Sequence, residues 1–381
     1  MQASATAELS PSAFKVPLRG GDVPGGGGRR RKAPSGPDAP VIRTNDDAAS
    51  SKLSAVQLGY YQDNFLSYFV QGTQRRSPII NRGYYTRVVA MHHILKQFLR
   101  ATPSAASSMP NKQVICLGAG FDTTYFQKKR GGLIGDNVTY YELDFPEVVA
   151  NKAAVIRKYS ALREVVGLPV EEAETEKGSQ SEIHTTSYHL MGADLRNVEK
   201  LDEAMVAAGI DFSKPTLFIS ECVLIYVKPE DSTKLLQWAS RFKSSVFLIY
   251  EQILPHDSFG RVMLRNLEDR DIRLLGISDY PDIPSQRQRF LSLGWEQVEA
   301  LDMNEISKLC IPPSEQARIS RVEFLDEHEE LTLLQAHYCV ACATKEDPQL
   351  HQGIWRGLGF AASSAATNKN SHATLPLVSG D

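Results

Sequence analysis

The chain has 381 residues, 42% hydrophobic and 23% charged, a balance close to that of folded proteins that excludes wholesale disorder, collagen and a coiled-coil rod. Its 42 Lys and Arg against 45 Asp and Glu leave a formal charge of −3, so no general grip on nucleic acid or an anionic membrane is expected. Apolar runs such as Val223 to Val227 fall far short of the roughly 18 residues that cross a bilayer, and no membrane span is expected.

The length allows roughly two to three domains at ordinary domain sizes, but the ends differ from the middle. Residues 1–50 hold 7 Gly and 6 Pro, with Phe14 as their one aromatic, so they cannot bury enough apolar surface to offset the entropy of ordering them. They are expected to form a disordered arm, and they contain no apolar core of a signal peptide. Within the arm, Arg29-Arg30-Arg31-Lys32 reads first as a solvated charge run and second as a nuclear-import patch.

Two helical stretches precede the first expected strand. Between Arg82 and Arg100, Tyr84, Met91, Ile94 and Phe98 recur at helical spacing, and Arg87 falls on the same stripe, within about 60° of all four. A guanidinium cannot stay dry and unpaired, so Arg87 must meet an anion. Two partners are open: a core carboxylate, or the carboxylate or phosphate of a ligand, which suits a bidentate fork.

The expected strands are Gln113 to Leu117, Thr139 to Leu143, Tyr188 to Ala193, Pro215 to Ser220, Ser245 to Tyr250, Trp295 to Leu301 and His337 to Thr344. Near-continuous apolar runs alternating with helical patterns predict one doubly wound α/β domain over residues 51–345, with a mostly parallel, seven-stranded, Rossmann-like sheet. The first strand opens into Gly118-Ala119-Gly120-Phe121-Asp122, where glycines let backbone approach a ligand. Asp122 stands where a pyrophosphate would sit, which disfavours a dinucleotide. The second strand runs into Asp144, able to accept from both ribose hydroxyls of a nucleoside; the third ends at Asp194 and the fourth at Glu221. Each acid alone is as readily a helix cap or a solvated loop residue. Together with Gly118 they meet at one edge, because ligands of open α/β sheets bind outside the carboxyl ends of the strands.

A nucleoside site lined by acids and lacking a phosphate clamp favours a cationic nucleoside. S-adenosylmethionine fits through its sulfonium, and its carboxylate would answer Arg87. The five cysteines, an odd number scattered through the chain, suit a reducing compartment. In Cys339-Val340-Ala341-Cys342 the thiols lie three apart on an expected strand and so point to opposite faces, which argues for core packing; no metal site is expected. Residues 346–381 are rich in Ser, Ala, Asn and Gly and are expected to be a mostly disordered tail in which Ile354, Trp355, Leu358 and Phe360 can dock locally.

The segments Ile80-Asn81-Arg82-Gly83-Tyr84-Tyr85-Thr86-Arg87-Val88, Leu117-Gly118-Ala119-Gly120-Phe121-Asp122-Thr123-Thr124, Asp144-Phe145-Pro146, Gly192-Ala193-Asp194-Leu195-Arg196, Glu221-Cys222-Val223-Leu224 and Phe324-Leu325-Asp326-Glu327 together resemble the leucine carboxyl methyltransferases. The resemblance spans Lys52 to Lys345. It implies a class I S-adenosylmethionine-dependent methyltransferase fold with an antiparallel seventh strand and added helical elements forming a lid. It further implies methylation of the C-terminal leucine α-carboxylate of the protein phosphatase 2A catalytic subunit, giving a methyl ester that regulates holoenzyme assembly. By the family's pattern Lys52 and Arg87 hold the methionyl carboxylate region, Gly118 lines the cofactor turn, Asp144 binds the ribose, Asp194 and Leu195 face the adenine, and Glu221 sits near the cofactor's amino end. Lys52 is placed by Leu58-Gly59-Tyr60 following at the family's spacing.

A peptide carboxyl, with a reference pKa of about 3.3–3.7, is already ionised at neutral pH and needs no general base, in keeping with a chain that shows no Ser/His/Asp arrangement. Arg87 and Tyr226 are the candidates for steering it, Tyr226 being equally suited to core packing. A cytoplasmic monomer whose partner is the phosphatase tail is expected, with the nucleus as a second compartment if the basic run serves import. Two other readings are weighed: a related O-methyltransferase acting on a small molecule or a modified tRNA nucleoside, and an inactive methyltransferase-like binding module. The tRNA-directed relatives carry an added repeat domain not seen in this sequence, and the complete set of site residues opposes an inactive module.

Overall fold

In the computed structural model, residues 34–70, 72, 74–104, 109–170 and 181–360 are described. Residues 1–33 of the expected arm, including Arg29 to Lys32, and residues 361–381 of the expected tail lie outside them.

Eight strands form one sheet: β1 Lys112–Leu117, β2 Val138–Asp144, β3 Ile183–His184, β4 Tyr188–Gly192, β5 Thr216–Glu221, β6 Ser245–Gln252, β7 Gln297–Asp302 and β8 Tyr338–Lys345, in the order β3-β4-β2-β1-β5-β6-β8-β7. β4, β2, β1, β5 and β6 are mutually parallel, and β8 runs antiparallel to both β6 and β7. All seven expected strands are present, and the last of them is the antiparallel one. The eighth, β3, makes a two-residue antiparallel pairing with β4 and is too short to leave a period-2 pattern.

Every residue of β1 and β6 is buried, because helices cover both faces of the sheet. Alternation divides the strands between two cores: Val114 and Cys116 pack on one side of β1, Ile115 and Leu117 on the other. Helix Pro78–Arg100 contributes Ile94, Leu95 and Phe98 to the first core, each stabilising the fold by roughly 1.5–3 kcal/mol. Its C-terminus is tied to β1 by the buried Lys112, whose Nζ donates to the carbonyls of Phe98, Leu99 and Ala101 at 2.7, 2.8 and 2.6 Å. Cys339 and Cys342 are buried free thiols within β8, as strand geometry requires.

Two boundaries differ from expectation. The arm was expected to reach residue 50, yet a helix spans Ala39–Leu58, with Pro40 in its first turn and left-handed Gly59 closing it. The glycines and prolines of residues 1–37 dominate the composition of the first 50 and mask the glycine-free stretch that begins after Gly36. At the other end the boundary at residue 345 is passed: Ile354, Trp355 and Phe360 are buried against the first core and Leu358 packs on it, the local docking expected of them.

Candidate functional site

A cavity of about 560 Å³ opens at the carboxyl ends of β1, β2, β4 and β5, and Lys52, Arg87, Gly118, Asp144, Asp194, Leu195, Glu221 and Tyr226 all line it. The turn after β1 makes its floor. Gly118 and Gly120 have φ of +65° and +50°, a region that disfavours side chains. A Cβ on Gly118 would come within 2.5 Å of Val223 Cγ2, so backbone there approaches the cavity only because the residue is glycine.

Asp144 stands beside that turn. Its Oδ2 accepts from Gly120 N at 2.6 Å and its Oδ1 from Phe145 N at 2.7 Å, which fixes the carboxylate while leaving each oxygen a further lone pair. Burial pushes the Asp144 pKa up to about 6, against the pull of those two amides. Asp194 lies farther along the edge, gripped by the Arg196 guanidinium at 2.8 and 3.1 Å, and Arg196 also forks onto Asp38 at 2.9 and 2.8 Å. This bridge joins helix Ala39–Leu58 to the end of β4 beside Leu195.

At the opposite end four charges are packed together. The Arg87 Nε donates to Glu221 Oε1; Lys52 Nζ lies 3.0 Å from Glu221 Oε1 and 3.3 Å from Asp122 Oδ2. Burial opposes the charge on both acids, but Arg87 and Lys52 hold Glu221 below the usual carboxylate range, and Lys52 and Lys152 do the same for Asp122. Arg87 also sits over the rings of Tyr250 and Tyr84, 4.7 and 5.3 Å from their centroids. Glu221 leads into Cys222, a non-glycine residue at φ +57°, a costly conformation that turns the chain at the cavity rim. Tyr226 follows on a 3₁₀ turn, its phenol kept protonated by burial.

Sequence reasoning left one question about Arg87 open, and the partner it meets in the described structure is the core-edge carboxylate Glu221. It missed other parts of the wall. Asn45 accepts from Phe121 N at 2.7 Å and, with Asp38, belongs to the helical turns counted within the arm. Asp122 stands in the glycine turn by sequence, and only the fold joins it to Lys52. Helix Ser258–Glu268 adds Phe259, Val262 and Met263 to the far wall, and Arg270, two residues past its end, pairs with Asp47 of helix Ala39–Leu58. No short motif marks these residues. Among the described residues no cluster of three or more His, Cys, Asp or Glu suits a metal ion.

The residues fit S-adenosylmethionine. A glycine cradle that a Cβ would fill, a fixed carboxylate for ribose hydroxyls and a mostly buried cluster of two cations and two anions match its nucleoside and zwitterionic methionyl ends. If Asp144 holds the ribose, affinity for S-adenosylhomocysteine is expected to weaken about tenfold as pH falls from 7 to 5, because the raised pKa protonates the carboxylate through pH 6. Calorimetric titration checks this, and Asp144→Asn is expected to flatten the profile; an unchanged slope in that variant would remove Asp144 from the role.

A family model described as leucine carboxyl methyltransferase matches residues 39–240. The chain is similar to leucine carboxyl methyltransferase 1 homolog of Arabidopsis thaliana, 41% identical over 339 residues that cover 89% of this chain and 98% of that protein. Leucine carboxyl methyltransferase 1 of Bos taurus is 38% identical, over 82% of this chain and 92% of that protein. The human tRNA wybutosine-synthesizing protein 4 is also 38% identical over 82% of this chain, which spans 45% of that protein.

Proposed function

The chain belongs to the leucine carboxyl methyltransferase family of S-adenosylmethionine-dependent enzymes, and from that membership we propose that it esterifies the C-terminal leucine α-carboxylate of the protein phosphatase 2A catalytic subunit. The observation that carries this reading is the pair formed by the mostly buried Lys52 and the buried Arg87 at one end of the cavity, beside a wall of Tyr84, Tyr226 and Tyr338. Two cations facing two carboxylates leave donor capacity for another carboxylate, and the tyrosines shield it from water.

When bound, S-adenosylmethionine supplies an electrophilic methyl group and a good thioether leaving group. Lys52, Arg87 and Glu221 hold the methionyl end, Asp144 the ribose, and Asp194 and Leu195 the base. The substrate carboxylate arrives ionised, so no side chain has to remove a proton. What the protein contributes is alignment of a carboxylate oxygen by Arg87 and Tyr226, and exclusion of competing water.

The test is incubation with methyl-labelled S-adenosylmethionine and the phosphatase, intact or lacking its last leucine. Base-labile label on the intact chain alone is expected; equal label on the truncated chain overturns the proposal. Because the human tRNA wybutosine-synthesizing protein 4 is as similar as the bovine relative, a parallel incubation with tRNA is included, and transfer to tRNA in place of the phosphatase would favour a nucleoside substrate.

A further inference from the structure

One wall of the cavity carries a polar group that the reaction described above does not use. Gln252 closes β6, lines the cavity and is 95% buried, at 5% exposure. Its side chain hydrogen-bonds Tyr338, its register partner on β8, yet its Oε1 is buried with no hydrogen-bond partner. An unmatched buried carbonyl is costly, so its retention beside a ligand cavity asks for a donor.

The placement says which donor. Strand alternation puts Gln252 on the same face as Tyr250, roughly 7 Å away along β6. Tyr250 stacks on Tyr338 with centroids 5.3 Å apart and lies under Arg87. Arg87, Tyr338 and Gln252 therefore line one wall with Tyr250 packed behind Arg87 and Tyr338, a cation for a carboxylate at one end and a bare acceptor at the other. A C-terminal residue in a polypeptide carries a carboxylate and, one atom beyond its α-carbon, a neutral amide N–H.

We propose that Gln252 Oε1 accepts the backbone N–H of the substrate's last residue, so that the site selects carboxylates of acylated, chain-terminal residues over free amino acids. This rests on the leucine-carboxylate reading above. A free leucine brings an ammonium instead of an amide, and a buried neutral carbonyl cannot offset the desolvation of that charge. Gln252 is then a specificity-determining residue that also fixes the angle at which the carboxylate meets Arg87.

The experiment compares semisynthetic phosphatase chains whose final leucine is joined through the natural amide or through an ester, which lacks the N–H. On the unaltered enzyme kcat/KM is expected to be about tenfold to a hundredfold higher for the amide chain. Gln252→Leu is expected to lose most of that preference by slowing the amide chain alone, with S-adenosylhomocysteine affinity unchanged, whereas Gln252→Glu, which keeps an acceptor, retains it. Gln252→Met serves if the leucine variant fails to fold. Equal rates for amide and ester chains on the unaltered enzyme, an undiminished preference in the folded leucine or methionine variant, or free leucine methylated as well as the chain would each overturn the assignment. Methylation of neither chain would instead strike down the leucine-carboxylate reading itself, and this inference with it.

Discussion

Replacing Arg87 with alanine is expected to lower kcat/KM for methyl transfer by at least about a thousandfold, or roughly 4 kcal/mol of transition-state stabilisation, in a protein that still folds. Arg87 is 8% exposed, and its guanidinium meets Glu221 on one edge and the faces of Tyr250 and Tyr84. Without it Glu221 keeps, among the described residues, only Lys52 as an ion-pair partner, and Lys52 also serves Asp122. An incoming carboxylate would then approach Glu221 and Asp122 with Lys52 as the one cation left in contact with either side chain among the described residues, an arrangement that low-dielectric surroundings penalise heavily. Lysine at this position restores the charge but not the planar fork, so Arg87→Lys is expected to recover only part of the loss. Initial rates with labelled cofactor and far-ultraviolet circular dichroism are the measurements, and turnover within about threefold of the unaltered enzyme would remove Arg87 from the site. Titration with S-adenosylhomocysteine divides its role: affinity that falls with turnover assigns Arg87 to the cofactor's carboxylate, and preserved affinity assigns it to the substrate's.

The largest expected effect on stability lies one layer beneath the site. Glu142 on β2 and Lys152 on helix Pro146–Lys158 have fully buried side chains and pair at 2.5 Å, while Tyr188 OH donates to the same Glu142 oxygen at 2.7 Å. Burial pushes the Glu142 carboxyl up against the pull of Lys152 and Tyr188, and replacing a buried ion pair with apolar groups of similar volume is often neutral or stabilising. Breaking it is another matter. Glu142→Ala leaves the ammonium, among the described residues, with one oxygen acceptor, the Asp122 carbonyl at 2.7 Å, and is expected to cost about 3–5 kcal/mol in urea unfolding. Replacing both groups, as Glu142→Leu with Lys152→Met, is expected to recover most of that loss. Because Lys152 holds both the backbone and the charge of Asp122, the double variant is expected to remain slower than the unaltered enzyme despite its stability. A loss below about 1 kcal/mol in Glu142→Ala would show that the pair is dispensable.

Much of this site is readable before any fold is known, and the reason is topological. In a parallel sheet every strand delivers its C-terminal residue to the same edge, so Gly118, Asp144, Asp194 and Glu221, spread over more than 100 positions, converge without long-range information. Helical periodicity likewise marks Arg87 as a buried cation in need of an anion. Three things escape this logic. The helix Ala39–Leu58 is hidden by the glycine and proline of the segment before it, and Asp38 and Asn45 with it. β3 is too short to show a period. Gln252 resembles any polar residue at a strand end until burial shows that its carbonyl has no partner.

The sequence by itself determined the α/β order, the edge at which chemistry gathers and the residue types that meet there, because periods of 2 and 3.6 and the ends of strands are local properties. Only the tertiary structure decided which charges face one another. Lys52 reaches Glu221 and Asp122, and Arg196 reaches Asp38, across separations from 70 to 169 residues that no local pattern encodes. Ion pairing depends on distance and on exclusion of water, and both arise when helix Ala39–Leu58 closes over the strand ends.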